Sequence, residues 1–213
     1  MAENNSSSFI AALFDLDGVL IDTEGAYTRF WDIMSAKYDK PSTFALDIKG
    51  TTLSKILDSH FPKEDHEDIE KAVHQYEVDM PFEFFDGVET FLHALKGKDI
   101  PMAIVTSSDD NKIRSLKEKL PALTDLMDVI VDGTMVSRSK PDPEGYLIAA
   151  RMLNCPPERC IVFEDSLQGL ESGRRAGCKV VGLITTNPKE KVEPLCDVAV
   201  YSFSEITPEQ LGF

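Results

Sequence analysis

Cysteine and long apolar runs are both scarce in this sequence of 213 residues. The four cysteines form no C-x-x-C pair and lie beside or within apolar stretches, which favours reduced core thiols over a disulfide framework. No apolar run approaches the roughly 18 residues that span a bilayer, and the opening segment MAENNSSS lacks the basic and apolar regions of a secretory signal. We therefore expect a cytoplasmic protein with no membrane partner and a frayed N-terminus.

Positive charge is scarce as well, because 22 lysines and arginines face 37 acids and the formal net charge is -15. Nucleic acids and anionic membranes would repel such a surface, so neither is expected as a main partner. A small anion can still bind where a few cations focus it. The composition therefore excludes polyanions as main partners and leaves small anions open.

Six short apolar runs recur at intervals typical of strands separated by helices. Most are continuous rather than alternating, which is the pattern of strands covered on both faces in a parallel sheet. The predicted strands are FIAALF (9–14), PMAIVT (101–106), DVIV (128–131), CIVF (160–163), KVVGLI (179–184) and DVAVY (197–201). Helix-like stretches lie between them at 88–99, 111–120, 143–154 and 169–177. The pattern predicts an α/β core with a doubly wound, Rossmann-like parallel sheet.

One long segment, about residues 25–85, breaks this alternation. Its stretches TRFWDIMSAKY, LSKILDSHF and HEDIEKAVHQYEVDM have apolar residues at helical spacing, and none reads as a convincing strand. Within the third stretch, His66 and His74 are expected on the solvent face. We therefore divide the chain into a core domain of residues 1–24 and 86–213 and an inserted α-helical cap domain of residues 25–85.

Two carboxylates, Asp15 and Asp17, stand one residue apart at the end of the first predicted strand, in LFDLDGVLID. Open α/β sheets bind ligands at the carboxyl ends of their strands, and Gly18 lets the backbone turn so that both acids reach one cleft. Asp22 can cap the helix that follows. Like charges this close repel unless a cation or a shared proton offsets the repulsion, which points to Mg²⁺. The alternative is a turn whose acids are solvated or capping.

Three further stretches place polar side chains next to apolar runs or prolines. Thr106 and Ser107 follow PMAIV, where hydroxyl and amide groups suit a phosphate, although they also suit an N-cap. Lys140 precedes two prolines in SKPDPE that restrict the local backbone, although an exposed lysine before a helix is the simpler interpretation of that stretch alone. Glu164 and Asp165 follow the run IVF as a second pair of acids.

These motifs, taken in order, resemble the haloacid dehalogenase superfamily, in the branch with a helical cap between the first and second motifs. DLDGVLIDTE matches the first motif, the strand end at Thr106 the second, SKPDPE the third and FEDSLQG the fourth. Together with the core strands they cover nearly the whole chain, and the combination is far more specific than any single motif. Within the superfamily, the sequence resembles sugar-phosphate phosphatases and β-phosphoglucomutase-like enzymes.

The resemblance implies a role for each acid. Asp15 would attack phosphorus and form an aspartyl-phosphate. Asp17 would protonate the leaving oxygen and later take a proton from the hydrolytic water. Asp15, the backbone carbonyl of Asp17 and Asp165 would hold Mg²⁺ as the cofactor, and Glu164 would assist in its immediate surroundings.

The resemblance also implies a phosphate-binding set. Thr106 and Lys140 would bind oxygens of the transferring phosphoryl group, with the Ser107 amide as a further donor. Lys140 would in addition offset the repulsion among the acids. Such a set is physically reasonable, because phosphoryl transfer depends on alignment and charge neutralisation.

Substrate choice in capped members lies with the cap, and the loop IKGTTLSK is our candidate for it. Gly50 would let the loop backbone approach the ligand closely, while Lys49 and Thr51 would donate hydrogen bonds to hydroxyl groups. The expected partner is a small phosphorylated metabolite, a sugar or polyol phosphate in particular, and we expect a monomer.

Other reactions of the superfamily fit less well. Asp17 favours phosphate over halide chemistry, because halide leaves without a proton and halide-displacing relatives lack this acid. Mutases of the β-phosphoglucomutase type carry a histidine and an arginine roughly where Tyr27 and Leu53 stand here, so a phosphatase is favoured over a mutase. The phosphosugar mutase stays the first alternative, and a non-catalytic metabolite-binding protein is the second.

Overall fold

The computed structural model describes residues 9–213, and the predicted frayed terminus MAENNSSS lies outside the described residues. Within that described range, six strands form one parallel sheet. In chain order they are β1 (Ala11–Phe14), β2 (Met102–Val105), β3 (Val129–Val131), β4 (Cys160–Glu164), β5 (Lys179–Leu183) and β6 (Val198–Val200). Their order across the sheet is β3-β2-β1-β4-β5-β6, the order of a Rossmann-like sheet. Each strand lies on one of the six predicted apolar runs.

The sheet is buried on both faces because its central strands are continuously apolar. In the register of β1, Leu13 lies opposite Ala103 on β2 and opposite Val162 on β4. Leu13 belongs to the hydrophobic cluster on one face, whereas Ala12 and Phe14 belong to the cluster on the other. The chain runs from β1 to β2 and β3 on one side of β1 and then crosses from β3 to β4 on the other side. Open sheets bind ligands at the carboxyl ends of the strands where the strand order reverses in this way.

After β1 the described chain first forms four α-helices, and we call residues 24–79, which contain them, the helical insert. They are α1 (Glu24–Lys37), α2 (Phe44–Asp47), α3 (Leu53–His60) and α4 (His66–Asp79). The sequence predicted α1, α3 and α4 but not α2, because a single helical turn has no periodicity to detect. The expectation that Asp22 caps α1 is wrong, because the residue that immediately precedes the helix is Thr23.

The helical insert has a hydrophobic cluster of its own, separate from the two that cover the sheet. Trp31 lies 6.1 Å from Phe44 and 6.1 Å from Phe61 between ring centroids, and Phe44 lies 5.7 Å from Phe61. Aromatic pairs at such distances contribute about 0.5–1.5 kcal/mol each beyond the area that they bury. The insert therefore packs around its own aromatic core.

Helices cover both faces of the sheet. In chain order they are α5 (Val88–Lys96), α6 (Asp110–Lys119), α7 (Pro121–Leu126), α8 (Glu144–Met152), α9 (Leu167–Ala176), α10 (Lys189–Val192) and α11 (Pro208–Leu211). Apolar residues of α5 and α6 join the cluster on one face, and those of α8 and α9 join the cluster on the other. This arrangement confirms the predicted doubly wound sheet.

The two chain segments that connect the helical insert to the sheet run side by side. The backbone N–H of Asp22 donates to the carbonyl of Glu83 at 2.9 Å. The N–H of Phe85 donates to the carbonyl of Leu20 at 3.2 Å. The insert therefore leaves the core and returns to it at one place, next to the carboxyl end of β1.

The four cysteines are free thiols, as the sequence predicts. Burial raises the pKa of Cys160 and of Cys178 to about 12, so both thiols are unreactive core residues. Across residues 9–213, the helices fall short of the length and hydrophobicity that crossing a lipid bilayer requires.

Candidate active site

The carboxyl end of β1 carries Asp15 and Asp17 into a cavity of about 110 Å³. The backbone N–H of Asp15 donates to the carbonyl of Phe163 at 2.9 Å, so strand pairing with β4 continues to the first acid. Gly18 then turns the chain with a φ of 82°, in the left-handed region that favours glycine. The cavity lies between this strand end and the helical insert.

The cavity brings together most of the residues that the sequence singled out, from four separate stretches. They are Asp15, Asp17, Thr106, Ser107 and Asp165 on the side of the sheet, and Lys49, Gly50 and Thr51 on the side of the insert. Lys140 and Glu164 are not part of the cavity wall, and their side chains are only 8% and 0% exposed. Both lie behind Asp15.

Lys140 lies between two buried carboxylates. Its Nζ donates to Asp15 Oδ1 at 2.6 Å, to Glu164 Oε1 at 2.5 Å and to the carbonyl of Val105 at 3.3 Å. Burial disfavours the ammonium, but the charges of Asp15 and Glu164 outweigh this effect and raise the pKa of Lys140. Lys140 is therefore a permanent cation that offsets part of the repulsion among the acids.

The carboxylates around Asp15 carry more negative charge than Lys140 offsets. Burial raises the pKa of Asp15 from 3.8 to about 8, and Glu164 and Asp17 reinforce this rise while Lys140 opposes it. Carboxylate oxygens of Asp15, Glu164 and Asp165 all lie within 4.8 Å of one another, and all three residues are buried. One ammonium cannot neutralise three carboxylates, and a cluster that offers only oxygen atoms suits a hard divalent cation. These residues therefore fit Mg²⁺.

Glu164 is oriented by a dense set of hydrogen bonds. The Tyr146 hydroxyl donates to its Oε1 at 2.8 Å. Its Oε2 accepts from the backbone N–H groups of Asp165 at 3.1 Å and Ser166 at 3.2 Å, and from the Ser166 hydroxyl at 3.1 Å. Through these contacts Glu164 fixes the position of Lys140 and of the backbone at Asp165 and Ser166.

Gly169, at the start of α9, leaves room for the Glu164 carboxylate. A Cβ atom at residue 169 would lie 1.8 Å from Glu164 Oε1. We expect Gly169→Ala to displace this carboxylate and to lower the free energy of unfolding by about 1–3 kcal/mol, as overpacking of a core does. Denaturant unfolding measures the change.

Gly25→Ala is the matched control, because that glycine also lies in the first turn of a helix but its Cβ would meet nothing closer than 3.5 Å. We expect no loss of stability there, since alanine is the better helix former. An unchanged stability of Gly169→Ala would contradict the position of the Glu164 carboxylate.

Asp17 is held by groups from three parts of the chain. The Thr23 hydroxyl and Lys112 Nζ both donate to its Oδ1, and the Ser108 hydroxyl donates to its Oδ2 at 3.1 Å. The Lys112 side chain is completely buried, and its ammonium also lies 4.2 Å from the centroid of the Tyr27 ring. Lys112 is thus a site residue that the sequence interpretation missed.

The sequence does contain a pattern that identifies buried charged residues of this kind: a charged side chain at a position of a helix face that is otherwise apolar. Lys112 precedes the buried Leu116 by four residues on α6. Glu77 follows Ile69 and Val73 at the same spacing on α4, and all three are buried. Residues four apart share one face of a helix, so both charges were predictable as buried groups.

The helical insert contacts the core at the rim of the cavity. The Ser107 hydroxyl donates to the carbonyl of Gly50 at 2.9 Å, and a Cβ at residue 50 would lie 2.8 Å from Ser166 Oγ. His74 Nε2 lies 2.7 Å from Asp109 Oδ2. The expectation that His74 faces solvent is wrong, because α4 packs against α6.

Comparison with protein families agrees with the fold and with the order of the motifs. The family model described as haloacid dehalogenase-like hydrolase matches residues 12–183. The chain belongs to the haloacid dehalogenase-like hydrolases. The matched stretch extends from β1 to the end of β5 and contains every residue discussed at the site. The resemblance that the four motifs carry is thereby confirmed.

Curated relatives and a solved structure cover nearly the full chain of this hydrolase. Validoxylamine A 7'-phosphate phosphatase of Streptomyces hygroscopicus is 33% identical over 94% of this chain and 97% of its own. The phosphorylated carbohydrates phosphatase of Thermotoga maritima is 34% identical over 82% of this chain and 85% of its own. A HAD hydrolase of family IA from Entamoeba histolytica superposes with a TM-score of 0.79 at 27% identity, over 94% of this chain and 96% of that one. The expected enzyme class, a phosphoric monoester hydrolase, is confirmed.

Proposed function

We propose that this hydrolase is a Mg²⁺-dependent phosphatase that cleaves a small sugar or polyol phosphate through an aspartyl-phosphate on Asp15. The observation that carries the proposal is the position of Asp15 and Asp17 in one cavity, beside the buried carboxylates of Glu164 and Asp165. The relatives named for phosphorylated carbohydrates and for a validoxylamine phosphate support the substrate class.

In this proposal Asp15 and Asp17 divide the chemistry between them. A carboxylate oxygen of Asp15 attacks phosphorus, the bond from phosphorus to the leaving oxygen breaks, and Asp17 gives that oxygen its proton. Asp17 then takes a proton from water, which attacks phosphorus and releases Asp15 and inorganic phosphate. The contacts of Asp17 with Thr23, Lys112 and Ser108 hold the carboxyl group beside Asp15.

The remaining residues would bind the charges of the phosphoryl group and of the metal. Asp15, Asp165 and the backbone carbonyl of Asp17 would hold Mg²⁺, with Glu164 beside them. Bound there, Mg²⁺ would supply the positive charge that neutralises the phosphoryl oxygens. Thr106 and the Ser107 amide would donate hydrogen bonds to those same oxygens. Lys140, whose Nζ contacts Asp15, Glu164 and the Val105 carbonyl, would contribute positive charge to the phosphate-binding set.

We also propose that residues 25–85 act as a cap domain over the core of residues 1–24 and 86–213. The separate aromatic core of the insert and its paired connecting segments support this division. Lys49, Gly50 and Thr51 line the cavity opposite Asp15, where they would contact the leaving group. Such a cap limits the water that reaches the phosphoryl group.

A reducing compartment suits the four free thiols, and we propose that the enzyme works in the cytoplasm. We further propose that it works as a monomer, because residues of one chain supply every group that the mechanism uses.

The phosphosugar mutase is the second candidate. Tyr27 and Leu53 both line the cavity, and neither side chain carries a positive charge that would hold a second phosphate. If the enzyme does not retain a bisphosphate intermediate, water rather than a sugar hydroxyl attacks the aspartyl-phosphate, so hydrolysis is favoured. The non-catalytic binding protein is disfavoured, because each position of the proposed mechanism is occupied by a suitable residue.

Phosphate release in the presence of Mg²⁺, measured across sugar, polyol and nucleotide monophosphates, tests the proposal. We expect hexose or hexitol phosphates to be the best substrates. With β-glucose 1-phosphate as the substrate, we expect free phosphate to form at least about tenfold faster than the isomerised product, glucose 6-phosphate. Faster formation of glucose 6-phosphate would make the enzyme a mutase. Silence in both assays with every substrate would favour the binding protein.

A further inference from the structure

Glu77 is a buried carboxylate in the cavity for which the proposed mechanism has no use. It lies in the last turn of α4, is 6% exposed and lines the cavity on the side of the helical insert. Its Oε1 accepts a hydrogen bond from the Tyr27 hydroxyl at 2.5 Å. Its Oε2 is buried and has no hydrogen-bond partner among residues 9–213. A buried acceptor left without a donor needs an explanation, because its desolvation costs free energy.

The surroundings of Glu77 are those of a ligand subsite that combines polar groups with an apolar wall. Apolar side chains of Trp31, Ile56 and Val73 form the wall beside it. In such pockets a small number of polar groups fixes the orientation of the ligand. Oε2 is therefore placed to accept a hydrogen bond from a molecule that fills the cavity.

The charges nearby do not favour an anion at this end of the cavity. Burial raises the pKa of Glu77, while the Tyr27 hydrogen bond and the Lys112 charge lower it. The Lys112 ammonium is already paired with Asp17, so one cation serves two carboxylates. Among the described residues that line the cavity, Lys49 is the one lysine or arginine. A second anionic group of a substrate would meet the Glu77 carboxylate, and Lys49 is the one cation of the described cavity wall that could offset the repulsion.

We propose that Glu77 determines substrate specificity, by accepting a hydrogen bond from a hydroxyl group of the leaving group and by excluding leaving groups with a carboxylate or a second phosphate. The proposal rests on the phosphatase function, which fixes the phosphoryl group at Asp15. It narrows the substrate class to monophosphates whose body is a neutral polyol. It also gives a physical reason for hydrolysis over mutase chemistry, since a mutase must bind a bisphosphate.

Three substrates and two variants separate this role from a structural one. The substrates are a hexitol 6-phosphate with a neutral body, 6-phosphogluconate with an added carboxylate, and acetyl phosphate with a two-carbon body as the short control. Glu77→Gln removes the charge but keeps an oxygen that can accept from Tyr27, and Glu77→Ala removes the acceptor. Asp79→Asn is the matched control, because it removes an exposed charge from the same helix.

We expect the wild type to prefer hexitol 6-phosphate over 6-phosphogluconate by more than about tenfold in kcat/KM, and Glu77→Gln to lower that ratio about tenfold, mainly through KM. Glu77→Ala is expected to lower kcat/KM for hexitol 6-phosphate by about 10-fold to 100-fold. Acetyl phosphate hydrolysis is expected to stay within about twofold of the wild type in both variants and in Asp79→Asn.

An unchanged ratio in Glu77→Gln, or an equal fall for all three substrates, would overturn the specificity role and leave Glu77 as a support for Tyr27. Failure of the phosphatase function looks different, because the wild type would then release no phosphate from any of the three. In that case the role of Glu77 in substrate binding is tested by calorimetry, which measures the affinity of each variant for hexitol 6-phosphate. Equal affinities of the wild type and Glu77→Ala would overturn the inference.

Discussion

Asp15→Asn is expected to lower the rate of phosphate release by about 10⁴-fold or more. An amide has no ionised oxygen to attack phosphorus, so no covalent intermediate can form. The rate is measured with hexitol 6-phosphate and saturating Mg²⁺. Asp22→Asn is the control, because it removes the same charge from an exposed residue of the same segment and should retain the wild-type rate. A variant that keeps more than about one hundredth of the activity would exclude Asp15 as the nucleophile.

The same substitution is expected to stabilise the protein when divalent cations are chelated. Burial raises the pKa of Asp15 from 3.8 to about 8, so the folded chain holds this proton more tightly than the unfolded chain does. The contribution of Asp15 to wild-type stability therefore falls as pH rises from about 4 to about 8, and asparagine has no such loss. We expect a gain of more than about 1 kcal/mol at pH 8 that shrinks as the pH falls.

Thermal unfolding at pH 5 and pH 8 in chelator measures this gain. It also separates loss of a nucleophile from loss of the fold, because an inactive variant that is more stable than the wild type cannot owe its inactivity to unfolding. A lower stability of Asp15→Asn at pH 8 would show that Lys140 compensates the Asp15 charge more fully than we infer.

Removal of divalent cations is expected to lower phosphate release by about 10³-fold, and Mg²⁺ is expected to restore it. The reason is the cluster of Asp15, Glu164 and Asp165, whose carboxylate oxygens all lie within 4.8 Å of one another. The Lys140 ammonium pairs with two of these acids, Asp15 and Glu164. Without the cation the phosphoryl oxygens face unneutralised negative charge. Activity against Mg²⁺ concentration after chelation measures the effect.

Stability gives a second measure of the same site. Millimolar Mg²⁺ is expected to raise the Tm of the chelated wild type by at least about 3 °C, because a ligand that binds only the folded state stabilises it. Asp165→Asn is expected to need more than about ten times the Mg²⁺ for the same rise. Asp125→Asn, an exposed residue of α7, should respond as the wild type does. An identical response of Asp165→Asn would exclude this cluster as the metal site.

The features that could be predicted from the sequence are those that depend on residues close together in the chain. β1 and β2 were recognisable because each is a short, uninterrupted apolar run, and all of their residues are buried. Asp15 and Thr106 were recognisable because each directly follows such a run. Strand ends of a parallel sheet share one edge, so residues far apart in the chain were expected to meet there.

The features that the sequence interpretation missed depend on how the helical insert meets the core. Lys112 contacts Asp17 across 95 residues of chain, and Tyr27 contacts Glu77 across 50. No local pattern encodes the partner in such contacts, although the helix stripes revealed that Lys112 and Glu77 are buried. Thr23 rather than Asp22 immediately precedes α1, and the Thr23 hydroxyl donates to Asp17, which a local pattern does not show either.

The central claim is that phosphate passes through a covalent bond to Asp15, and chemical trapping tests it most directly. The enzyme is mixed with hexitol 6-phosphate and Mg²⁺, quenched in acid within a turnover and reduced with borohydride, which converts an aspartyl-phosphate to homoserine. Peptide mass spectrometry then locates the change. We predict homoserine at position 15, dependent on substrate and absent from Asp15→Asn. Phosphate release with no reduced residue at position 15, or with the change at another acid, would contradict the account.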